Sequence, residues 1–167
     1  MGDREEPRKR YVTWFELTKR CEMLADVIAR EASGEDGGKV HLVAIARGGS
    51  VPARLISGFL EGKGIKCGTS TIHVESYEGT KQGELKHSTF TGMGEPGSIH
   101  YVVDDLVDSG KSMQLVLDLC QRVKAGLDFQ SVVVYYKPHS VVTPSIYAEV
   151  VDSGEWIVFP YETEDQE

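Results

Sequence analysis

The chain has 167 residues, 40% of them apolar and 26% charged, and a net charge of −8. That length supports one compact domain with a full core and is short for two, while the acidic balance excludes a broad nucleic-acid-binding face, which needs clustered Lys and Arg. No apolar run approaches the roughly 20 residues of a membrane helix, and Met1–Arg10 lacks the apolar core of a secretion signal. Three widely spaced cysteines, Cys21, Cys67 and Cys120, make neither a disulfide framework nor a zinc site. A cytoplasmic protein with reduced, core-filling thiols is expected.

In chain order, residues 1–10 are highly charged and are expected to be a flexible N-terminus. From Trp14 to about Ala32 the apolar positions Phe15, Leu17, Cys21, Leu24, Ile28 and Ala29 fall near helical spacing, with Thr13 placed to cap the helix. The glycines from Gly34 to Gly38 end it. Val40–Ala46 is a short apolar run ending in Arg47-Gly48-Gly49, and Val51 to about Leu60 is helical again. Cys67–Tyr77 reads as a strand. Residues 78–97 carry polar and glycine positions with little periodicity, a loop length that in a compact domain is usually functional or disordered. Ile99–Val103 predicts a strand, Lys111 to about Ala125 a helix, and Phe129–Tyr136 and Ala148–Val151 two further strands. The last residues, 163–167, are expected to be flexible, leaving one domain over 11–162. Helices alternating with continuously apolar strands predict an α/β fold whose mainly parallel sheet is covered on both faces. Ligands of such sheets bind beyond the carboxyl ends of the strands.

The chemistry concentrates in residues 99–113, IHYVVDDLVDSGKSM. Two carboxylates at a strand end, Asp104 and Asp105, can accept hydrogen bonds from the vicinal diol of a ribose. The small-residue turn Ser109-Gly110-Lys111-Ser112 opens a helix and can offer N–H groups and hydroxyls to a phosphate. Three carboxylates in five positions, Asp104, Asp105 and Asp108, are costly to crowd unless a cation or diol compensates. Gly-Lys-Ser here is not the end of a nucleoside triphosphate P-loop, because that motif needs glycine where Asp105 stands. The five histidines show no metal-ligand spacing and receive no role.

This segment resembles the phosphoribosyl pyrophosphate (PRPP) signature of type I phosphoribosyltransferases. Tyr11-Val12-Thr13-Trp14, Ala46-Arg47-Gly48-Gly49 and Trp156-Ile157 extend the likeness toward the family's xanthine-guanine, or 6-oxopurine, branch. Ser76-Tyr77-Glu78 with Gln82 and Glu84-Leu85-Lys86 is similar to its mobile active-site loop. One departure is Gly83, where that loop commonly carries an arginine; Lys81 and Lys86 are the nearest cations. The resemblance implies a twisted sheet flanked by helices, with a small C-terminal hood. It implies an Mg2+-dependent purine salvage enzyme joining PRPP to guanine, xanthine or hypoxanthine, working as a homodimer or homotetramer. In that reading Asp104 and Asp105 hold the ribose hydroxyls, with Asp105 also near the metal, and Ser109, Gly110, Lys111 and Ser112 cradle the 5-phosphate. Arg47 and Gly48 bind pyrophosphate, Arg47 after a cis peptide bond. Lys137 meets the purine 6-oxygen, Trp156 stacks on the base and the Ile157 backbone faces its 2-position. Asp108 contacts N7 and assists proton movement. Two alternatives are a non-catalytic PRPP or nucleotide sensor of the same fold, and a phosphoribosyltransferase for another base.

Overall fold

In the computed structural model the described residues are 7–34, 38–74, 87–89, 95 and 97–162. Helix α1 (Trp14–Ala32) starts where the sequence places it. Thr13 Oγ1 accepts from the Glu16 backbone N–H at 3.2 Å, and the Glu16 carboxylate accepts from the Thr13 N–H at 2.8 Å. This reciprocal pair satisfies two of the N–H groups a helix start leaves open. Two further helices follow, α2 (Ser50–Gly62) and α3 (Lys111–Val123).

Among the described residues eight strands are formed: β1 (Arg8–Tyr11), β2 (Lys39–Ala46), β3 (Lys66–His73), β4 (His87–Thr89), β5 (Ser98–Val107), β6 (Phe129–Tyr136), β7 (Ile146–Val150) and β8 (Glu155–Val158). Six of them make the main sheet in the order β4-β3-β2-β5-β6-β7, parallel except for β4. Its two faces explain why β2 and β6 are apolar without alternation. Leu42, Ala44, Tyr101 and Val103 pack with Leu17, Leu24 and Ile28 of α1 and Ile56 and Leu60 of α2. Val43, Ile45, Ile72, Val102 and Val133 pack with Met113, Val116 and Cys120 of α3. Fully burying an aliphatic side chain of this size contributes about 1.5–3 kcal/mol. Cys21 and Cys120 are buried in these cores, Cys67 lies at their margin, and all three are free. Burial pushes the Cys21 and Cys67 thiols up to about 12 and that of Cys120 to about 11.

Several expectations need correction. Arg8–Tyr11 is not frayed: it pairs in parallel with β8 as a separate two-stranded sheet, with Arg8–Glu155 at 3.1 Å across the ladder and Arg10–Glu149 at 2.6 Å tying it to β7 of the main sheet. Four mostly polar residues give no periodic signal, so composition alone misread them. Strand β5 does not stop at Val103. It runs on through Asp104 and Asp105 to Val107, because β6 stays paired with it as far as Tyr136. Strand β3 is described only to His73, and part of the long loop, His87–Thr89, pairs with it as β4. The loop residues Ser76, Tyr77, Glu78, Lys81, Gln82, Gly83, Glu84, Leu85 and Lys86 lie outside the described residues.

At the amino end of the sheet, His41 of β2 and His100 of β5 are opposite one another in register, and both are buried. The His41 Nε2 lies 2.7 Å from Ser70 Oγ, and the two rings are 5.9 Å apart. Burial lowers the pKa of both, and the neighbouring His100 lowers that of His41 further. A histidine depressed in the fold binds fewer protons there than in the unfolded chain. The stability it contributes is present above the ordinary value of 6.5 and is lost as the pH falls below it. The melting temperature of His100→Gln, which keeps polarity but cannot titrate, should therefore fall less steeply than wild type as the pH is lowered through this window.

Candidate active site

The parallel order brings the ends of β2, β5 and β6 side by side, and the sequence-derived site residues gather there. The backbone of β5 carries Asp104 and Asp105 into a largely enclosed position. The Asp105 N–H donates to Asp104 Oδ1 at 2.9 Å and the Leu106 N–H to Asp105 Oδ1 at 2.7 Å. Burial raises the pKa of Asp104 well above the usual carboxylate range, and the charge of Asp105 raises it further. Asp105 is also raised by burial, against the opposing hydrogen bonds from Tyr161, Asp104 and the Leu106 N–H. Two such groups resist carrying two charges together.

Gly48, just past β2, abuts this pair. A Cβ there would stand 2.5 Å from Asp105 Oδ2, so any side chain would displace the carboxylate. The Ala46–Arg47 peptide is cis, as the resemblance implies, and Arg47 is exposed. Tyr161 completes this cluster: its hydroxyl donates to Asp105 Oδ2 at 2.5 Å and lies 3.5 Å from the Gly48 carbonyl. Its ring stacks on Phe159 at 5.2 Å. Burial and the nearby Asp105 raise the pKa of the phenol, so it remains a donor.

The Ser109–Ser112 turn leads into α3. Gly110 is its N-cap with φ of 81°, a conformation that favours glycine, and a Cβ would meet Ser140 Oγ at 2.2 Å. Gly110 makes no side-chain cap and the first turn holds no acidic residue; the Lys111 N–H donates to Ser109 Oγ at a long 3.4 Å, and a helix start of this kind can receive an anion. The turn rests on the loop after β6, with the Val141 N–H donating to the Ser109 carbonyl at 2.9 Å.

A second cluster surrounds Asp108. The Lys137 side chain is only 6% exposed, and its ammonium donates to Asp108 Oδ2 at 3.0 Å. A lysine ending a strand is usually solvated; this one is held inside. The His139 Nε2 is 2.8 Å from Asp108 Oδ1, and its Nδ1 is 2.7 Å from Ser153 Oγ. Trp156 and Ile157 are on β8 of the hood and share no hydrogen bond with either cluster among the described residues. Trp156 is 58% exposed, so its ring is an open platform, and Ile157 is buried. The Val151 N–H bonded to the Tyr136 carbonyl at 2.9 Å brings the chain leading to β8 against the end of β6.

Sequence reasoning missed Tyr161, His139 and Ser153. His139 carried a usable signal, two residues beyond Lys137 at a strand end; Tyr161 and Ser153 carried none outside the fold. A cavity of about 530 Å³ lined by Lys39, His41, Glu61, Lys66 and Glu95 opens at the opposite, amino end of the strands, away from all of these groups.

A carboxylate pair, a helix start and the Lys137–Asp108 pair thus lie at adjacent strand ends of one sheet. The phosphoribosyl transferase domain model matches residues 13–167. The xanthine-guanine phosphoribosyltransferase of Cereibacter sphaeroides is 32% identical over 156 residues, covering 91% of this chain and 86% of its own. That of Idiomarina loihiensis is 30% identical, with 93% and 88% covered. Among solved structures, a purine phosphoribosyltransferase from Pyrococcus horikoshii superposes with a TM-score of 0.76 at 25% identity, over 93% of this chain and 95% of that one. Sequence signature, sheet order and relatives agree that this chain belongs to the phosphoribosyltransferase family.

Proposed function

We propose that the protein transfers the 5-phosphoribosyl group of PRPP to N9 of a 6-oxopurine, guanine, xanthine or hypoxanthine, releasing pyrophosphate and the nucleoside monophosphate. The observation that carries this reading is the pairing of buried Lys137 with Asp108 beside the Asp104–Asp105 strand end. A 6-oxopurine presents O6, an acceptor, next to N7–H, a donor, on one edge. The Lys137 ammonium has only donors and suits O6; a carboxylate has only acceptors, and that of Asp108 suits N7–H. Adenine would set an amino group against the ammonium instead.

Asp104 and Asp105 accept from the ribose hydroxyls, and Ser109, Gly110, Lys111 and Ser112 take the 5-phosphate at the start of α3. Arg47 and Gly48 face the pyrophosphate, Trp156 stacks on the base and the Ile157 backbone lines its 2-position. As the N9–C1 bond forms and the C1–pyrophosphate bond breaks, the N7 proton passes to Asp108. The residues position the partners and answer the developing charges.

Two adjoining buried carboxylates that resist double ionisation suit Mg2+, and Asp105 with Asp104 would hold it. When bound, it offsets charge on the pyrophosphate. No helix among the described residues is long and apolar enough to cross a membrane. A cytoplasmic homodimer or homotetramer in purine salvage is the setting this reading carries.

Incubation with PRPP, Mg2+ and separate bases tests the assignment. Nucleotide and pyrophosphate should appear with at least one of guanine, xanthine and hypoxanthine, and adenine should lag by about 10⁴-fold, as for sites built on one substrate hydrogen bond. Comparable turnover of adenine would refute the base assignment, and PRPP binding without turnover of any base would favour the sensor. Asp108→Asn should lower kcat about 10²-fold or more while PRPP still binds; near-normal kcat would remove Asp108 from the reaction. Asp104→Asn relieves the buried charge pair. The ligand-free melting temperature should rise at neutral pH, by about 2–4 °C for each kcal/mol gained, while calorimetry shows weakened PRPP binding. A fall in melting temperature would show that the pair stabilises the empty protein.

A further inference from the structure

We propose that His139 is a positioning residue that aims Asp108, and that Ser153 fixes His139 for the task; the idea rests on the role given to Asp108 above. Asp108 lies in the turn beyond β5, and its side chain is 52% exposed, so packing does not fix its orientation. Lys137 reaches it from a well-anchored position, since the Lys137 N–H donates to the Val107 carbonyl at 3.0 Å. One contact, at Oδ2, still leaves the carboxylate free to swing about that oxygen. His139 supplies the second contact, at Oδ1, 2.8 Å away. Donors on both oxygens set the plane of the carboxylate, and with it the direction of the lone pairs left for N7–H.

The histidine is itself held. Its Nδ1 lies 2.7 Å from Ser153 Oγ, in the turn between β7 and β8. With the Ser153 hydroxyl donating to Nδ1, the ring proton sits on Nε2 and is directed at Asp108; the imidazolium would donate there equally. Ser153, His139, Asp108 and Lys137 thus form a chain of contacts linking the turns after β5, β6 and β7. An ordinary exposed ion pair would tie turns together without any bearing on kcat.

The test measures kcat and both KM values with PRPP, Mg2+ and the 6-oxopurine that turns over fastest. His139→Ala should lower kcat about tenfold or more, the usual scale for loss of a group that orients another, with the KM for PRPP unchanged. His139→Gln, whose amide can present an N–H at similar reach, should recover most of the loss. Ser153→Ala should show a smaller loss in the same direction. In the Asp108→Asn background, His139→Ala should cost nothing further, because two residues acting as a unit are not additive. Full kcat in His139→Ala, equal losses in the Ala and Gln variants with a lowered melting temperature, or multiplicative losses in the double variant would each overturn the proposal. If His139→Ala fails to fold, the Gln and Ser153→Ala variants decide it: a drop in kcat with Ser153→Ala supports it and wild-type kcat in Ser153→Ala opposes it. Normal turnover in Asp108→Asn would remove the underlying role of Asp108. Impaired Asp108→Asn beside an unimpaired His139→Ala would remove this inference alone.

Discussion

The structure turns on two carboxylates held side by side where an apolar strand ends. β5 enters the sheet as Ile99, Tyr101, Val102 and Val103 and then, still paired with β6, carries Asp104 and Asp105 into half-buried positions. Desolvation and mutual repulsion both oppose their ionisation. The nearby N–H groups of Asp105 and Leu106 and the Tyr161 hydroxyl offset part of that cost. An apolar pair would suit the fold better. The stability given up here is drawn from the two cores on either side of the sheet, in which apolar residues of β2, β5 and β6 pack against α1, α2 and α3.

Everything near the pair is arranged by how closely backbone and loops can approach it. Gly48 lies against Asp105 because no side chain intervenes. Gly110 lets the next turn fold onto Ser140 and Val141 and aim the start of α3 at the same region. Lys137 is brought in by β6 and neutralises Asp108 at the rim. Three adjacent strand ends of one parallel sheet thereby carry the carboxylate pair, the Lys137–Asp108 pair and the start of α3, a placement that follows from strand order.

Much of this was readable in the sequence. Largely apolar runs marked β2, β5 and β6, and the Thr13–Glu16 spacing marked the start of α1. The acidic pair followed by a small-residue turn marked the carboxylates of β5 and the start of α3. What escaped had no local pattern. β1 is Arg-Lys-Arg-Tyr, which becomes a strand only because β8 lies beside it. The end of β5 was placed too early because aspartates in a strand run against propensity, and ladder pairing overrode it. Tyr161 is distant in sequence from Asp105, so only the closed hood brings the two together. Trp156 was readable as a name in a motif, but its exposure was not: a tryptophan is more often core.

The hood strands β1 and β8 are separated by nearly the whole described chain, yet Arg8 pairs with Glu155 and Tyr11 with Val158. Closing so long a loop is entropically expensive and late compared with neighbouring contacts. During synthesis the early strand waits, without its ladder partner, until the six-stranded sheet has been made. Asp105 is likewise in place before the tyrosine that covers it exists. The order of synthesis thus makes the Asp104–Asp105 pair and the Lys137–Asp108 contact available before Tyr161 and the β1–β8 ladder.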